Sequence, residues 1–291
     1  MIKPSVGDKI FDAFNYVFLT FLLVITLYPF LYVVFASLST PTELIKHSGI
    51  LWKPAGFYLE GYKLVLKNPM IGVGYKNTLF YVVVGTILNV FFTALFAYVL
   101  SRRDMYWKKY MMMMIVFTMF FSGGIIPEYM LVKNLGMLDT RWSLIIPGLI
   151  ATWNLIIMRT SFQSIPYEME ESAKIDGASD WVVFWKIILP LSIPLLAVMV
   201  LFYGVQHWNA WANALIYLRD KDLFPLQLVL REILIQNNTS DITNLATDSD
   251  PFLGEVVKHA TIVVATVPIL ILYPLIQKHF TKGVMIGALK G

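Results

Sequence analysis

Cysteine is absent from the 291 residues. That excludes a disulfide framework, a thiolate metal site and a cysteine nucleophile. Charge is nearly as scarce. Asp, Glu, Lys and Arg make up 14% of the chain, against roughly 25% in an ordinary soluble domain, too little to cover a water-facing surface. No basic run resembles a nucleic-acid patch, so nucleic acid is not expected as a partner and the net charge of +4 is read as membrane orientation. No Gly-x-x-x-x-Gly-Lys-Ser/Thr stretch occurs, so the chain has no phosphate-cradling loop of its own. The histidines (His47, His207, His259 and His279) are scattered, with no metal-ligand spacing.

Apolar residues are what the chain has most of. They reach 57%, and mean hydropathy is +0.66, which excludes disorder and argues against a soluble enzyme. Aromatics at 15%, with eight Trp, fit a bilayer protein with interfacial anchors. The Met111–Met114 run reads as adaptable apolar packing rather than a metal tract.

A spanning helix needs about 20 largely apolar residues, because hydrocarbon leaves an unpaired backbone group without a partner. Six such stretches predict an all-α integral membrane fold with one transmembrane domain over 1–291. The spans are expected at about 14–37, 77–100, 110–130, 142–158, 192–212 and 260–277. The first has too long an apolar core for a signal peptide and is expected to be retained. Gly123-Gly124 before Pro127 marks a kink or a broken outer end in the third.

Cations divide almost evenly between the two sides under any alternating layout. Short loops carry the weight of the positive-inside rule, and the turn 101–109 holds Arg102, Arg103, Lys108 and Lys109. Both termini are therefore expected in the cytoplasm. The loop 159–187 then lies inside and the long loop 213–259 outside.

The inside loop is informative. Pro166 can open a helix. Glu168, Glu170 and Glu171 follow in its first turn, where the positive end of the helix dipole favours carboxylates. Gly177 can end it with a left-handed cap. Ser179 or Asp180 can cap a second helix carrying Trp181, Val183, Phe184 and Ile187, which stops near Pro190. A solvated loop has no need of Trp181, Phe184 and Trp185 in one turn, so part of that surface must be buried.

The spacing Glu171-Ser172-Ala173, Gly177, Ile187-x-Leu189-Pro190 resembles the EAA loop of ABC-importer membrane subunits. Ser172 is the one departure, standing where the pattern has Ala. The tail, with Lys282-Gly283 and Gly287-Ala288-Leu289-Lys290-Gly291, is similar to that of MalG-type sugar-importer permeases. The Trp208-Asn209-x-Trp211 stretch and the ending GVMIGALKG look most like the LplC/YtcP-like branch, which is associated with complex oligosaccharides.

This resemblance implies the type I importer permease fold and a transport subunit rather than an enzyme. It implies a second permease subunit, of MalF type in the family, two cytosolic ATPase subunits that bind the ATP and Mg, and an extracytoplasmic solute-binding protein. The setting is the cytoplasmic membrane of a prokaryote, with lipid around the spans. Glu168, Glu171, Ser172, Ala173, Asp176, Gly177, Ile187, Leu189 and Pro190 would form the ATPase-coupling loop. Lys282, Gly283, Gly287, Lys290 and Gly291 would form an ATPase-contacting tail, and the tip from about Asn237 to Pro251 would meet the binding protein.

Candidates for the substrate path are Asn89, Asn154, Gln206, His207, Trp208, Asn209 and Trp211, since polar groups inside a membrane face a cavity or each other. Trp208 and Trp211 would share a helix face and could stack on sugar rings. An interfacial Trp belt reads equally well there, and interhelical bonding is the plainer reading of Asn89 and Asn154. Two other functions stand beside the sugar importer: an ABC permease for a non-sugar solute, and an ion-coupled transporter. The second needs charged groups at span centres, where this sequence has none.

Overall fold

The computed structural model describes residues 5–235 and 253–288, with side chains as far as Ile271 in the last helix. Every regular element among the described residues is helical. In chain order they are α1 (Val6–Ser37), α2 (Pro41–Lys46), α3 (Glu60–Lys67), α4 (Pro69–Ser101), α5 (Lys108–Phe120), α6 (Ile125–Asn134), α7 (Thr152–Gln163), α8 (Tyr167–Ile175), α9 (Asp180–Leu191), α10 (Ile193–Trp208), α11 (Ala212–Tyr217), α12 (Leu226–Ile235) and α13 (Leu253–Ala288). The chain divides into two compact units.

One unit holds residues up to Pro69 and Glu232–Val267. Its helix α1 opens with a reciprocal cap. Asp8 N donates to Ser5 Oγ at 3.2 Å, and Ser5 N donates to Asp8 Oδ2 at 2.8 Å. The apolar run from Phe14 to Leu31 is exposed along almost its whole length, as a lipid-facing helix requires. The C-terminal end of α1 is tied to α3 and to the loop before it. Ser37 Oγ and Tyr62 OH bond at 2.6 Å, and Ala55 N donates to Ser39 Oγ at 2.9 Å. Gly61 lets α3 approach α13, because a Cβ there would come within 3.1 Å of Val256.

The other unit holds Met70–Arg231 and Pro268 onward. Helix α4 is its axis. Ala94, Ala97, Tyr98 and Leu100 on α4 pack on Leu155, Met158 and Phe162 of α7, and on Val183, Phe184, Ile188 and Met199 of α9 and α10. Between lipid-soluble helices the hydrophobic effect gives little net drive, so close van der Waals packing carries the contact, and small residues such as Ala94 and Ala97 permit it.

The spans differ from simple rods. Helices α1, α4 and the Leu253–Ile271 part of α13 are each long and apolar enough to cross a bilayer. Two bent helix pairs are together long and apolar enough for a broken span or a re-entrant loop: α5 with α6 at 116°, and α9–α10 at 82°. The first break contains Gly123-Gly124, and Gly124 takes φ +84°, a conformation that favours glycine. The stretch expected as a fourth span, 142–158, is not one helix. A single 3₁₀ turn covers Arg141–Leu144, residues 147–151 are not helical, and α7 starts only at Thr152.

Candidate functional site

Three features of the second unit are candidates for a functional role. The first is α8. Pro166 is its N-cap, Glu168 and Glu170 lie in its first turn, and Gly177 takes φ +82° just beyond its end. Gly177 N donates to Lys174 O at 3.0 Å, and Ala178 N to Ala173 O at 2.9 Å. These are the paired bonds of a left-handed helix stop. Ser179 then caps α9, accepting from Val182 N at 3.4 Å. The helix–turn–helix expected from the sequence is thus present. Glu168, Met169, Glu171, Ser172, Ile175 and Asp176 are exposed, Ile175 at 82%. Ala173 and Ala178 instead pack toward the core, as do Ile187 and Leu189 on α9. Pro190 lies on α9 two residues before the bend and is exposed.

Arg102, at the end of α4, fastens this loop. Its guanidinium pairs with Glu170 of α8 and donates to Asp180 Oδ1 of α9 at 3.1 Å. It also donates to Tyr98 OH at 2.8 Å. Tyr98 OH reaches the Asp180 carbonyl at 3.3 Å, and Lys174 Nζ lies 3.4 Å from the Asp180 carboxylate. Arg102 is only 10% exposed and Glu170 14%, so water screens the pair weakly. Arg103 adds a cation–π contact, with its guanidinium 4.8 Å from the Tyr167 ring centre. In the sequence alone Arg102 stands out only as one of the four cations of the turn 101–109. Its four-residue spacing from Tyr98 was the one available signal of a shared helix face.

The second feature is a buried polar seam. Asn89 Nδ2 donates to the Gly148 and Leu149 carbonyls, both at 2.8 Å, and its Oδ1 lies 2.7 Å from His207 Nε2. Two carbonyl partners fix the amide orientation, so Oδ1 is the acceptor and His207 Nε2 carries the proton. Thr93 Oγ1 and Tyr203 OH bond at 2.7 Å, and Ala151 N donates to Tyr203 OH at 3.0 Å. The seam thereby supplies partners to the Gly148 and Leu149 carbonyls and to the Ala151 N–H in this non-helical stretch. Irregular backbone at membrane depth is tolerated where protein partners replace water. Gly85 completes the fit, because a Cβ there would collide with the His207 ring. Sequence reasoning missed Thr93, Tyr203 and Gly85, whose roles depend on partners from other helices.

The remaining path candidates scatter around this seam. Asn154 is buried on α7. Trp208 is buried as the last residue of α10, whereas Gln206, Asn209 and Trp211 are exposed. The helix ends at Trp208, so Trp208 and Trp211 do not share a helix face. Trp211 instead lies beneath the Arg231 guanidinium, 5.2 Å from the ring centre.

The third feature is a cavity of about 610 Å³, edged by Phe91, Trp185 and Trp208 among aliphatic side chains. Thr86 also lines it, and its buried hydroxyl has no partner among the described residues. Two π-helical segments, Tyr81–Gly85 and Phe184–Ile188, border this region. Such local widenings recur where a helix serves a function. Among the described residues no cluster of His, Asp or Glu could hold a metal ion. The tip from Asn237 to Pro251, Lys290 and Gly291 lie outside the described residues. Lys282, Gly283 and Gly287 fall within the α13 backbone, with their side chains outside the description.

Residues 105–286 match the family model of the binding-protein-dependent transport system inner membrane component. The chain is 42% identical over 286 residues to the polygalacturonan/rhamnogalacturonan transport system permease protein YtcP of Bacillus subtilis (strain 168), covering 98% of this chain and 99% of that protein. It is 44% identical over 290 residues to protein LplC of the same organism, covering 98% and 96%. Its fold matches a chain of a bacterial ABC transporter involved in the import of the acidic polysaccharide alginate, with TM-score 0.90, 32% identity, and coverage of 96% of this chain and 100% of that one. The chain therefore belongs to the family of binding-protein-dependent transport system inner membrane components, multi-pass membrane subunits of transporters rather than enzymes.

Proposed function

We propose that this chain is the permease subunit of an ATP-driven importer for complex oligosaccharides, delivered by an extracytoplasmic binding protein. The reading rests on one observation above others: near-complete alignment, at 42% identity with a polygalacturonan/rhamnogalacturonan transport system permease protein and at 44% with protein LplC. The polygalacturonan, rhamnogalacturonan and alginate named for its relatives point to oligosaccharides from acidic polysaccharides as the substrate class.

Six crossings, with both termini in the cytoplasm, account for the apolar stretches once α5–α6 and α9–α10 each count as one bent crossing and 142–163 as an interrupted one. The exposed face of α8 (Glu168, Glu171, Ser172 and Ile175) docks in a cleft of a partner ATPase, which holds the ATP and Mg. Glu170 is not part of that face, because Arg102 holds it. Two such ATPase subunits and a second permease subunit of MalF type complete the assembly. The tail from Lys282 to Gly291 reaches toward the ATPases, and the tip from Asn237 to Pro251 meets the binding protein. Closure of the ATPases would move α8. Arg102 would pass that motion to α4, whose mid-length seam and cavity face the path.

The test is purification of the complex in mild detergent, then uptake into proteoliposomes with the binding protein. ATP-dependent entry of an oligogalacturonide or related acidic oligosaccharide is expected. Glu171→Lys should release the ATPase while leaving this chain in the membrane. Recovery without any ATPase, whatever nucleotide is present, sinks the reading.

A further inference from the structure

A second cavity, of about 470 Å³, sits at the start of α5, at the same end of α4 as Arg102. It is lined by Lys108, Lys109, Arg159, Met105, Tyr106 and Met112. Two of its cations are fixed by neutral acceptors. Lys108 Nζ donates to the carbonyls of Ser101 at 3.3 Å and Arg102 at 2.9 Å, and Arg159 Nε donates to Leu100 O at 3.1 Å. The Gln163 amide, turned oxygen inward, accepts from both Lys108 Nζ at 2.8 Å and Arg159 Nη2 at 3.1 Å. Among the described residues none of the three cations has a carboxylate within ion-pair distance, unlike Arg102 beside them. The carbonyl end of α4 offsets about half a charge. Three cations line the cavity, so it keeps an excess of positive charge.

We propose that this cavity binds the phosphate of an anionic phospholipid headgroup. Arg159 retains unused Nη donors and Lys109 its full ammonium, which can converge on phosphate oxygens. Met105 and Met112 supply an apolar wall for the glycerol region. The surroundings favour lipid over an acidic protein segment. Tyr106 is 91% exposed, Trp107 63% and Tyr110 57%. They form an interfacial aromatic belt where α5 leaves for hydrocarbon with Met113, Met114 and Phe117 exposed. Basic pockets between membrane helices are suited to such headgroups. The proposal rests on the importer reading only in placing this end of α5 at a membrane surface.

The experiment is native mass spectrometry of the whole importer, purified from membranes containing phosphatidylglycerol and phosphatidylcholine, with the retained lipids identified. The wild type should retain phosphatidylglycerol selectively. Lys109→Gln should lower its retention about fivefold and Lys109→Gln with Arg159→Gln further, from the contribution of each surface cation. Lys109→Gln leaves the bonds to the α4 carbonyls intact, so a folding defect in the double variant does not obscure the result. Equal retention by wild type and Lys109→Gln overturns the proposal. So does inorganic phosphate binding to delipidated protein with no phosphatidylglycerol preference, which would make this a solution-anion site. Loss of the ATPase from Lys109→Gln with lipid retention unchanged assigns the cavity to an acidic partner segment instead. Absence of any ATPase in the wild type would defeat the importer reading while leaving the lipid measurement intact.

Discussion

Arg102, the residue that follows the last turn of α4, holds Glu170 in the first turn of α8, so a long membrane helix and a short exposed helix are joined through one guanidinium. The same group reaches Asp180 at the start of α9, which places one cation at the junction of three helices. Breaking a buried pair by removing one partner costs about 3–5 kcal/mol, because the other charge stays behind unpaired.

Arg102→Gln should therefore lower the thermal stability of the complex. It should also separate ATP hydrolysis from uptake, with the ATPase still bound through Glu171 and Ile175. Exchanging the charges, Arg102→Glu with Glu170→Arg, should recover part of the coupling, less the share owed to Asp180. Measuring sugar transported per ATP hydrolysed checks it. A fixed ratio across these variants would show that Arg102 serves stability alone.

Two glycines predict opposite failures. A Cβ at Gly177 meets nothing within 4 Å, but the backbone sits at φ +82°. Gly177→Ala should cost about 1–2 kcal/mol from left-handed strain alone, and Gly177→Asn less. Gly85, the last residue of a π-helical segment, has unstrained φ and ψ and a crowded neighbour, the His207 ring. Gly85→Ala should cost about 1–3 kcal/mol by overpacking, relieved by shrinking His207. Thermal unfolding of the single and double variants in detergent distinguishes the two mechanisms.

Asn89→Leu should remove the donor for the Gly148 and Leu149 carbonyls and the acceptor for His207 together. A buried polar group left without a partner costs about 1–3 kcal/mol. The expected result is loss of stability, with hydrogen exchange rising at residues 148–151 before it rises elsewhere. Exchange unchanged at 148–151 would mean that this backbone is held by something other than the seam.

Asp139 joins two loops of the second unit. Its Oδ1 accepts from Asp220 N at 2.9 Å and Arg219 N at 2.8 Å, and its own backbone N donates to Tyr217 O at 2.9 Å. The two backbone donors, Asp220 foremost, hold its carboxyl below the usual carboxylate pKa. The folded value is depressed, so its contribution is complete above the unfolded value of 3.8 and fades as pH falls through the folded value. The stability difference between wild type and Asp139→Ala should stay constant from neutral pH to mildly acidic pH, then shrink in strong acid. Unfolding midpoints across that range test it.

The sequence by itself determined the solvent and the local grammar. An apolar medium forces backbone groups to pair within their own segment, so long apolar stretches alone indicated helices in a membrane. Pro166, the glutamates, Gly177 and Ser179 likewise act within a turn or two of their own position, and the helix–turn–helix at 166–190 was legible for that reason. Only the tertiary structure decided which glutamate faces inward. Glu170 and Glu171 are adjacent in sequence, and the difference between them is the presence of Arg102, 68 residues away by number. The same holds for Asn89 and His207, partners across 118 residues, and for the broken backbone at 147–151, which persists because side chains on α4 and α10 supply the hydrogen bonds that water and its own helix do not. Partners that distant leave no periodicity to read, since their meeting depends on how whole helices pack.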